Sequence, residues 1–164
     1  MPPASDVTTG HVTLRAATDA DREFLVGVYG STREEELSQV AWPDGLREAF
    51  VRMQFDAQDA DYRRNNPAGS FDVIEVYRRP AGRLYVDRRP DDIRIVDIAL
   101  LPEFRGDGVG GQLVAELMDE AAASGRKLSI HVEIHNRAIG LYARMGFVEV
   151  AEHGLYRRLE WTAR

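Results

Sequence analysis

A glycine-rich stretch, Gly106 to Gly111, limits most strongly how this chain can fold. It places four glycines in six residues, between an apolar segment, Ile93–Leu101, and a segment with helical spacing that extends to about Ser124. Glycines cost backbone entropy, but they let a backbone approach a ligand closely. The first amides of the following helix lack partners within that helix, and the helix dipole adds positive charge. The stretch therefore predicts a phosphate or pyrophosphate site between a strand and a helix.

Two other interpretations of this stretch stay open on the residues alone. Gly106, Gly108 and Gly111 match the G-x-G-x-x-G pattern of dinucleotide sites, and Glu133 ends the next strand. However, four residues separate Leu101 from the first glycine, whereas the dinucleotide pattern begins tightly at the strand end. A glycine-rich turn without a ligand is the other alternative. A P-loop is excluded because the lysine that it requires is absent.

The order of the predicted elements indicates a mixed α/β fold. The predicted strands are His11–Arg15, Phe71–Val76, Leu84–Val86, Ile93–Leu101, Leu128–Ile134, Phe147–Ala151 and Leu155–Trp161. Four helices are predicted. The first begins after a capping box at Thr18 and Asp21, and the second spans Leu46–Arg64. The third follows the glycines to about Ser124, and the fourth runs from Asn136 through Met145. Arg33–Gly45 is predicted as a loop or broken helix.

The connections between these strands predict how they pair. Turns at Pro80-Ala81-Gly82 and at Arg89-Pro90-Asp91 would join three strands into an antiparallel meander. Leu128–Ile134 should lie parallel to Ile93–Leu101, because a helix crosses over between them.

Length and composition predict one soluble domain over residues 1–164, with a flexible tail at 1–10. The chain is 44% hydrophobic and 29% charged, and no apolar run reaches the ~18 residues of a membrane span. The first residues lack the basic start and apolar core of a signal peptide. The absence of cysteine excludes disulfides and thiolate catalysis and fits a cytoplasmic protein. A net charge of -6 argues against nucleic-acid binding.

Two motifs in register resemble the GNAT superfamily, the GCN5-related N-acetyltransferases. Arg105-x-x-Gly108-x-Gly110 matches the family's (Gln/Arg)-x-x-Gly-x-(Gly/Ala) motif. The segment from Asn136 to Phe147 is similar to Asn-x-x-Ala-x-x-Leu-Tyr-x-x-x-Gly-Phe. The resemblance covers about residues 70 to 161. It implies a central sheet of six to seven mostly antiparallel strands, with two parallel strands that splay apart, and about four helices.

The resemblance implies that acetyl-CoA binds where the two parallel strands separate. Amides of the glycine-rich stretch would hold the pyrophosphate, and the strand backbone before it would pair with the pantetheine arm. The residues assigned to acetyl-CoA in this way are Ile98, Ala99, Leu100, Arg105, Gly106, Asp107, Gly108, Val109, Gly110, Gly111, Asn136 and Tyr142. Asp107 departs from the pattern, because a basic residue is common there, and its charge should weaken CoA binding.

The reaction that the resemblance implies is direct attack of an amine on the thioester in a ternary complex. Tyr142 matches the tyrosine that serves as general acid. His131 lies where some relatives carry a catalytic glutamate, Glu133 should share its face of the strand, and Asp97 is a third candidate base. Some family members use no side-chain base. His131, Glu133 and His135 also allow a metal triad, but we expect no metal.

The acceptor site is expected between the first two helices, their loop and the last strands. Its candidate residues are Tyr29, Trp42 and Gln54, with Phe50, Phe55 and Tyr62 as further members. The acceptor would be a small-molecule or peptide amine, and a homodimer is compatible with the family. The alternatives are a non-catalytic CoA-binding or nucleotide-binding protein and, less favoured, a dinucleotide oxidoreductase.

Overall fold

Seven strands and five helices are present in residues 11–164, which the computed structural model describes; the tail predicted at 1–10 lies outside them. The strands are β1 Val12–Ala16, β2 Ser70–Val76, β3 Arg79–Arg88, β4 Asp92–Leu100, β5 Lys127–Glu133, β6 Val148–His153 and β7 Tyr156–Trp161. The helices are α1 Arg22–Thr32, α2 Glu34–Leu37, α3 Leu46–Asn65, α4 Val109–Ser124 and α5 Ile139–Arg144.

The strands form one sheet in the order β1-β2-β3-β4-β5-β7-β6, in which only β4 and β5 are parallel neighbours. The predicted mixed, mostly antiparallel sheet is confirmed, and α2 adds a helix within the segment predicted as a loop or broken helix. The antiparallel pairing of β1 to β4 excludes the βαβ order of a dinucleotide fold. No helix in the described part of the chain has the length and apolarity to cross a membrane.

Helices cover parts of both faces of the sheet and produce two cores. Val73 and Ile74 are adjacent in β2 and fully buried, yet they belong to different cores because neighbouring strand residues point to opposite faces. The larger core lies between the sheet and the helices α4 and α5. The smaller core lies beneath α1 and α3.

Local end signals are visible at two helices. Thr18 and Asp21 form the capping box before α1. Gly125 ends α4 with a positive φ of 67°, a conformation that glycine adopts without strain.

The prediction of a turn at Pro80-Ala81-Gly82 was wrong. The chain reverses earlier, at Tyr77 and Arg78, whose φ values are 51° and 64°. The three predicted turn residues lie inside β3, where the pairing with β2 shifts register at a bulge. A bulge accommodates a proline within a strand. Gly82 is required for close approach, since a Cβ there would lie 2.1 Å from the carbonyl oxygen of Ala99.

Candidate active site

A cleft opens between β4 and β5 at their carboxyl ends. The two strands pair only from Asp92↔Lys127 to Ile95↔Ile130, although each continues beyond the last pair. β4 also has a register shift against β3 at Val96, the residue after its last pair with β5. Because a bulge bends a strand, the register shift explains the separation. The predicted splayed pair is therefore confirmed.

The backbone of β4 presents free groups to this cleft. The N–H of Leu101 donates to the carbonyl of Ala81 in β3 at 2.8 Å. Since successive strand residues direct their N–H groups to opposite edges, Ile98 and Leu100 direct theirs to the open edge, whereas Ala99 faces β3. Two of the three predicted β4 residues thus present N–H donors along the cleft.

The glycine-rich stretch presents unpaired amides beside the same cleft. Gly106 and Gly108 have φ values of 87° and 81°. Within residues 11–164, the amides from Gly106 to Gly111, which include Asp107, Val109 and Gly110, donate to no backbone carbonyl. A Cβ added at Gly106, Gly108 or Gly111 would meet no atom within 4 Å. Amide donors and open space at the start of the long helix α4 suit an anion.

The side chain of Arg105 contacts two other parts of the chain. Its Nε donates to the carbonyl of Leu100 at 2.9 Å, and its Nη2 lies 3.4 Å from the hydroxyl of Ser31. The side chain therefore ties the loop to the end of β4 and to α1. Its assignment to acetyl-CoA stays a prediction.

Tyr142 lies in α5, the helix that follows β5. It is buried, and its ring centroid is 5.5 Å from that of Phe147. Burial and the negative charge of Asp97 raise the pKa of Tyr142 to about 12, so the phenol keeps its proton at neutral pH. The side chain of Asn136 accepts from the amide of Ala138 at 2.8 Å and thus caps the turn before this helix, which begins three residues later than predicted.

Asp97 is held by a buried network that the sequence did not reveal. Its Oδ2 accepts from the hydroxyl of Tyr62 and from Nη2 of Arg83, each at 2.8 Å. The side chain of Arg83 is 2% exposed. Burial and the Asp97 charge raise the pKa of Tyr62. The available signal was the alternation of β3, which places Arg83 and Tyr85 on the face opposite Leu84.

His131 has an exposed side chain on β5, directly opposite Arg158 of β7. Its ring centroid is 6.2 Å from that of His153. Partial desolvation and the positive charges of Arg94 and Arg158 lower the pKa of His131 below its usual value. The imidazole is therefore neutral at pH 7 and able to accept a proton.

Glu133 shares the face of His131, as predicted, but an arginine engages it. Arg33, at the end of α1, donates to both carboxylate oxygens, at 2.8 Å and 3.3 Å. This two-point contact joins α1 to the end of β5. His135 lies in the turn after β5, and in the described part of the chain no three His, Asp or Glu side chains converge as a metal would need.

A pocket of about 190 Å³ lies between the first helices. It is lined by Tyr29, Arg33, Glu36, Leu37, Phe50, Val51 and Gln54. Three predicted acceptor residues, Tyr29, Phe50 and Gln54, belong to this lining. Trp42 does not: it donates from its indole to the carbonyl of Leu37 at 2.9 Å and packs against Phe50 behind the wall.

Comparisons with known proteins agree with this architecture. The model of the Acetyltransferase (GNAT) family matches residues 33–147. A mycothiol acetyltransferase from Pseudarthrobacter chlorophenolicus is 30% identical over 122 residues, which are 74% of this chain and 34% of that protein. A candidate ribosomal protein bS18-alanine N-acetyltransferase from Bacillus subtilis (strain 168) is 38% identical over 85 residues, 49% of this chain and 55% of that protein. The chain thus spans about a third and about half of these relatives.

A solved structure supports the fold at lower identity. The crystal structure of PaiA N-acetyltransferase from Thermoplasma acidophilum in complex with coenzyme A has a TM-score of 0.69 and 15% identity. The match covers 93% of this chain and 99% of that one.

Proposed function

Because this chain belongs to the acetyltransferase (GNAT) family, we propose that it transfers an acetyl group from acetyl-CoA to a primary amine, as a cytoplasmic enzyme. The observation that carries the proposal is the cleft between β4 and β5, which ends at unpaired amides before α4. The name of the Bacillus subtilis relative, an alanine N-acetyltransferase, supports an amine acceptor.

The free amides fit the two polar parts of acetyl-CoA. Those of Gly106 to Gly111 would hold the pyrophosphate, because unpaired N–H groups at a helix start favour anions. One of the two open-edge N–H groups, that of Ile98 or that of Leu100, would donate to an amide carbonyl of the pantetheine arm. Acetyl-CoA would supply the acetyl group as a thioester, so that a C–N bond forms and the C–S bond breaks.

One open-edge amide of β4 would also stabilise the developing oxyanion. A fixed N–H that points at the carbonyl oxygen gains strength as negative charge grows there, and it needs no reorganisation during the reaction. This role belongs to Ile98 or Leu100.

Among the three candidate bases, His131 is the most available. Glu133 is bound at both oxygens by Arg33, and Asp97 accepts two hydrogen bonds at one oxygen. The imidazole of His131 is exposed and, with its lowered pKa, neutral at pH 7. We assign it the proton that the attacking amine loses.

Tyr142 would act on the departing thiolate. With a pKa of about 12, its phenol is a weaker acid than an ordinary thiol of pKa about 8.5. Complete proton transfer from the phenol would then be uphill by roughly 5 kcal/mol. The hydroxyl therefore stabilises the thiolate chiefly by donating a hydrogen bond.

The acceptor would approach from the face that carries His131. The 190 Å³ pocket beside Tyr29 and Gln54 lies on that side, and it joins β5 through the Arg33–Glu133 contact. An aromatic wall and one amide side chain fit a small amine or a peptide end.

Thermal unfolding with acetyl-CoA, CoA, NAD and NADP tests donor binding. Acetyl-CoA at ~100 times its Kd adds about 2.7 kcal/mol to the free energy of unfolding and should raise the Tm by roughly 5–10 °C. Gly111→Glu should abolish that shift without strain, because Gly111 has no positive φ and open space around it. Gly27→Glu, also in open space on a helix, is the matched control.

Thiol release with a panel of amines then tests transfer. Binding of acetyl-CoA without thiol release would favour the non-catalytic CoA-binding protein. A shift with NAD alone would overturn the proposal.

A further inference from the structure

Arg94 is a largely buried arginine at the point where the cleft begins. It lies opposite Ser129, one position before the last β4–β5 pair. Its side chain is 17% exposed, yet its Nε is 3.5 Å from the hydroxyl of Ser129 and its Nη2 is 3.8 Å from Asp92. Among residues 11–164, neither Nη nitrogen has a hydrogen-bond acceptor within range. A guanidinium carries five N–H donors, so this one has donors to spare.

The charges around Arg94 leave a positive excess. Arg158 lies on the same face, with its Nη2 3.8 Å from the same oxygen of Asp92. The carboxylate of Glu160 pairs with Arg158 at 2.9 Å and with Lys127 at 3.2 Å. The three cations are Arg94, Arg158 and Lys127. They share the carboxylates of Asp92 and Glu160, which leaves about one positive charge uncompensated.

Two side chains on different strands experience this positive excess. Burial and the charges of Arg89 and Arg158 lower the pKa of Arg94, and the carboxylates of Asp92 and Asp87 only partly oppose them. The charges of Arg94 and Arg158 also lower the pKa of His131. An anion bound between the two arginines would relieve the repulsion that both groups experience.

This positive cluster lies next to the proposed reaction centre. Ser129 and His131 are two residues apart on one face of β5, a distance of about 7 Å. On this face Ser129 is buried, but the side chain of Arg94 is 17% exposed and that of His131 is exposed, so both can be reached from solvent. On the other side of His131, Arg33 already has both Glu133 oxygens as acceptors. Arg94 is therefore a cation near that centre with free donors.

We propose that Arg94, with Arg158, binds a carboxylate that the acceptor itself carries, while the acceptor amine lies near His131. The inference rests on the proposed function and narrows its acceptor to amino acids with amine and carboxylate within about 7 Å. A carboxylate matches the single uncompensated charge. Its two oxygens also suit the planar fork of a guanidinium.

Matched pairs of acceptors test this inference. Glycine, alanine, leucine and phenylalanine are each compared with their carboxamides by thiol release from acetyl-CoA. The wild type should favour the carboxylates by at least tenfold in kcat/KM, the usual effect of one charge-assisted hydrogen bond. Amidation also changes the basicity of the amine, which affects every variant alike. The test is therefore whether the ratio of kcat/KM for acid and carboxamide differs between the variants and the wild type.

Arg94→Gln should remove most of that preference, and Arg94→Lys should retain part of it. Arg64→Gln, at an exposed arginine at the end of α3, is the control and should keep it. The acetyl-CoA shift in Tm should persist in Arg94→Gln, which shows that the fold and donor site are intact. Equal kcat/KM for acids and amides in the wild type, or an unchanged preference in Arg94→Gln, would overturn the inference.

A binding measurement separates this inference from the proposed function. N-acetylglycine carries a carboxylate but no free amine, so it cannot be acetylated. The pKa of His131 is measured by an NMR titration, in which His131→Gln identifies its signal. N-acetylglycine should raise this pKa in the wild type but not in Arg94→Gln. No release of thiol with any amine would end the proposed function, while this titration still reports the carboxylate site. A shift with inorganic phosphate alone would overturn the carboxylate assignment.

Discussion

Asp97→Asn tests whether the buried ion pair anchors the cleft. The substitution keeps an oxygen that can accept from Tyr62 and Arg83, but it removes the negative charge. Arg83 is 2% exposed and Asp97 is 15% exposed, so the remaining guanidinium charge would be uncompensated in a largely dry site. Asp97 therefore has a structural role whatever its part in catalysis.

The expected loss of stability follows from this burial. Breaking a buried ion pair by removing one partner costs about 3–5 kcal/mol. The retained hydrogen bonds place Asp97→Asn near the lower end of that range. For a chain of this size, about 3 kcal/mol lowers the Tm by roughly 6–12 °C.

A companion variant separates lost charge from lost packing. Tyr62→Phe/Arg83→Met/Asp97→Leu replaces the network by apolar side chains and should recover most of the stability, because such replacements are often neutral or stabilising. Thermal unfolding measures both proteins. Asp97→Asn should also lower the pKa of Tyr142, which an absorbance titration against Tyr142→Phe would detect, because the Asp97 charge raises that pKa.

Two results would refute this reasoning. A Tm within 2 °C of the wild type in Asp97→Asn would mean that solvent compensates Arg83. If acetyl transfer were abolished at the same time, Asp97 would be the general base, and the assignment of His131 would be wrong.

Three further predictions concern the donor and the reaction. Asp107→Lys should tighten CoA binding severalfold by calorimetry, because a carboxylate beside the pyrophosphate site repels it; an unchanged Kd would contradict this. His131→Ala should lower kcat/KM by 10²–10⁴-fold, and the wild type should show a loss of kcat/KM below pH 6.5 that is absent from the profile of His131→Ala, since the neutral imidazole is the active form. A loss below about tenfold would exclude His131 as the base. Tyr142→Phe should lower kcat about tenfold or more with little change in KM, because its hydroxyl acts on the departing thiolate; an unchanged kcat would leave Tyr142 as core only.

Much of the fold could be predicted from the sequence because its signals are local. The capping box at Thr18 and Asp21 and the C-terminal glycine Gly125 act within one helical turn. The parallel pairing of β4 and β5 follows from the helix between them. The glycine-rich stretch likewise predicted unpaired amides before α4, since the start of any helix lacks internal acceptors.

Sequence signals are insufficient where long-range packing decides how a residue is used. Pro80 and Gly82 suggested a turn, but in β3 they serve a bulge and a close approach to Ala99. In α3 the apolar residues Leu46 and Met53 keep helical spacing and yet are exposed. No neighbouring residue in the sequence carries that information.

The sequence by itself determined the element order and the unpaired amides before α4, because both depend on residues close together in the chain. The tertiary structure decided the charges around His131 and Glu133. Arg33 and Glu133 are 100 positions apart, and they pair only because the end of α1 lies over the end of β5. N–H donors of Arg94 lack acceptors only because β4, β5 and β7 place three cations around two carboxylates. Electrostatic interactions depend on distance in space and on burial, which the order of residues does not specify.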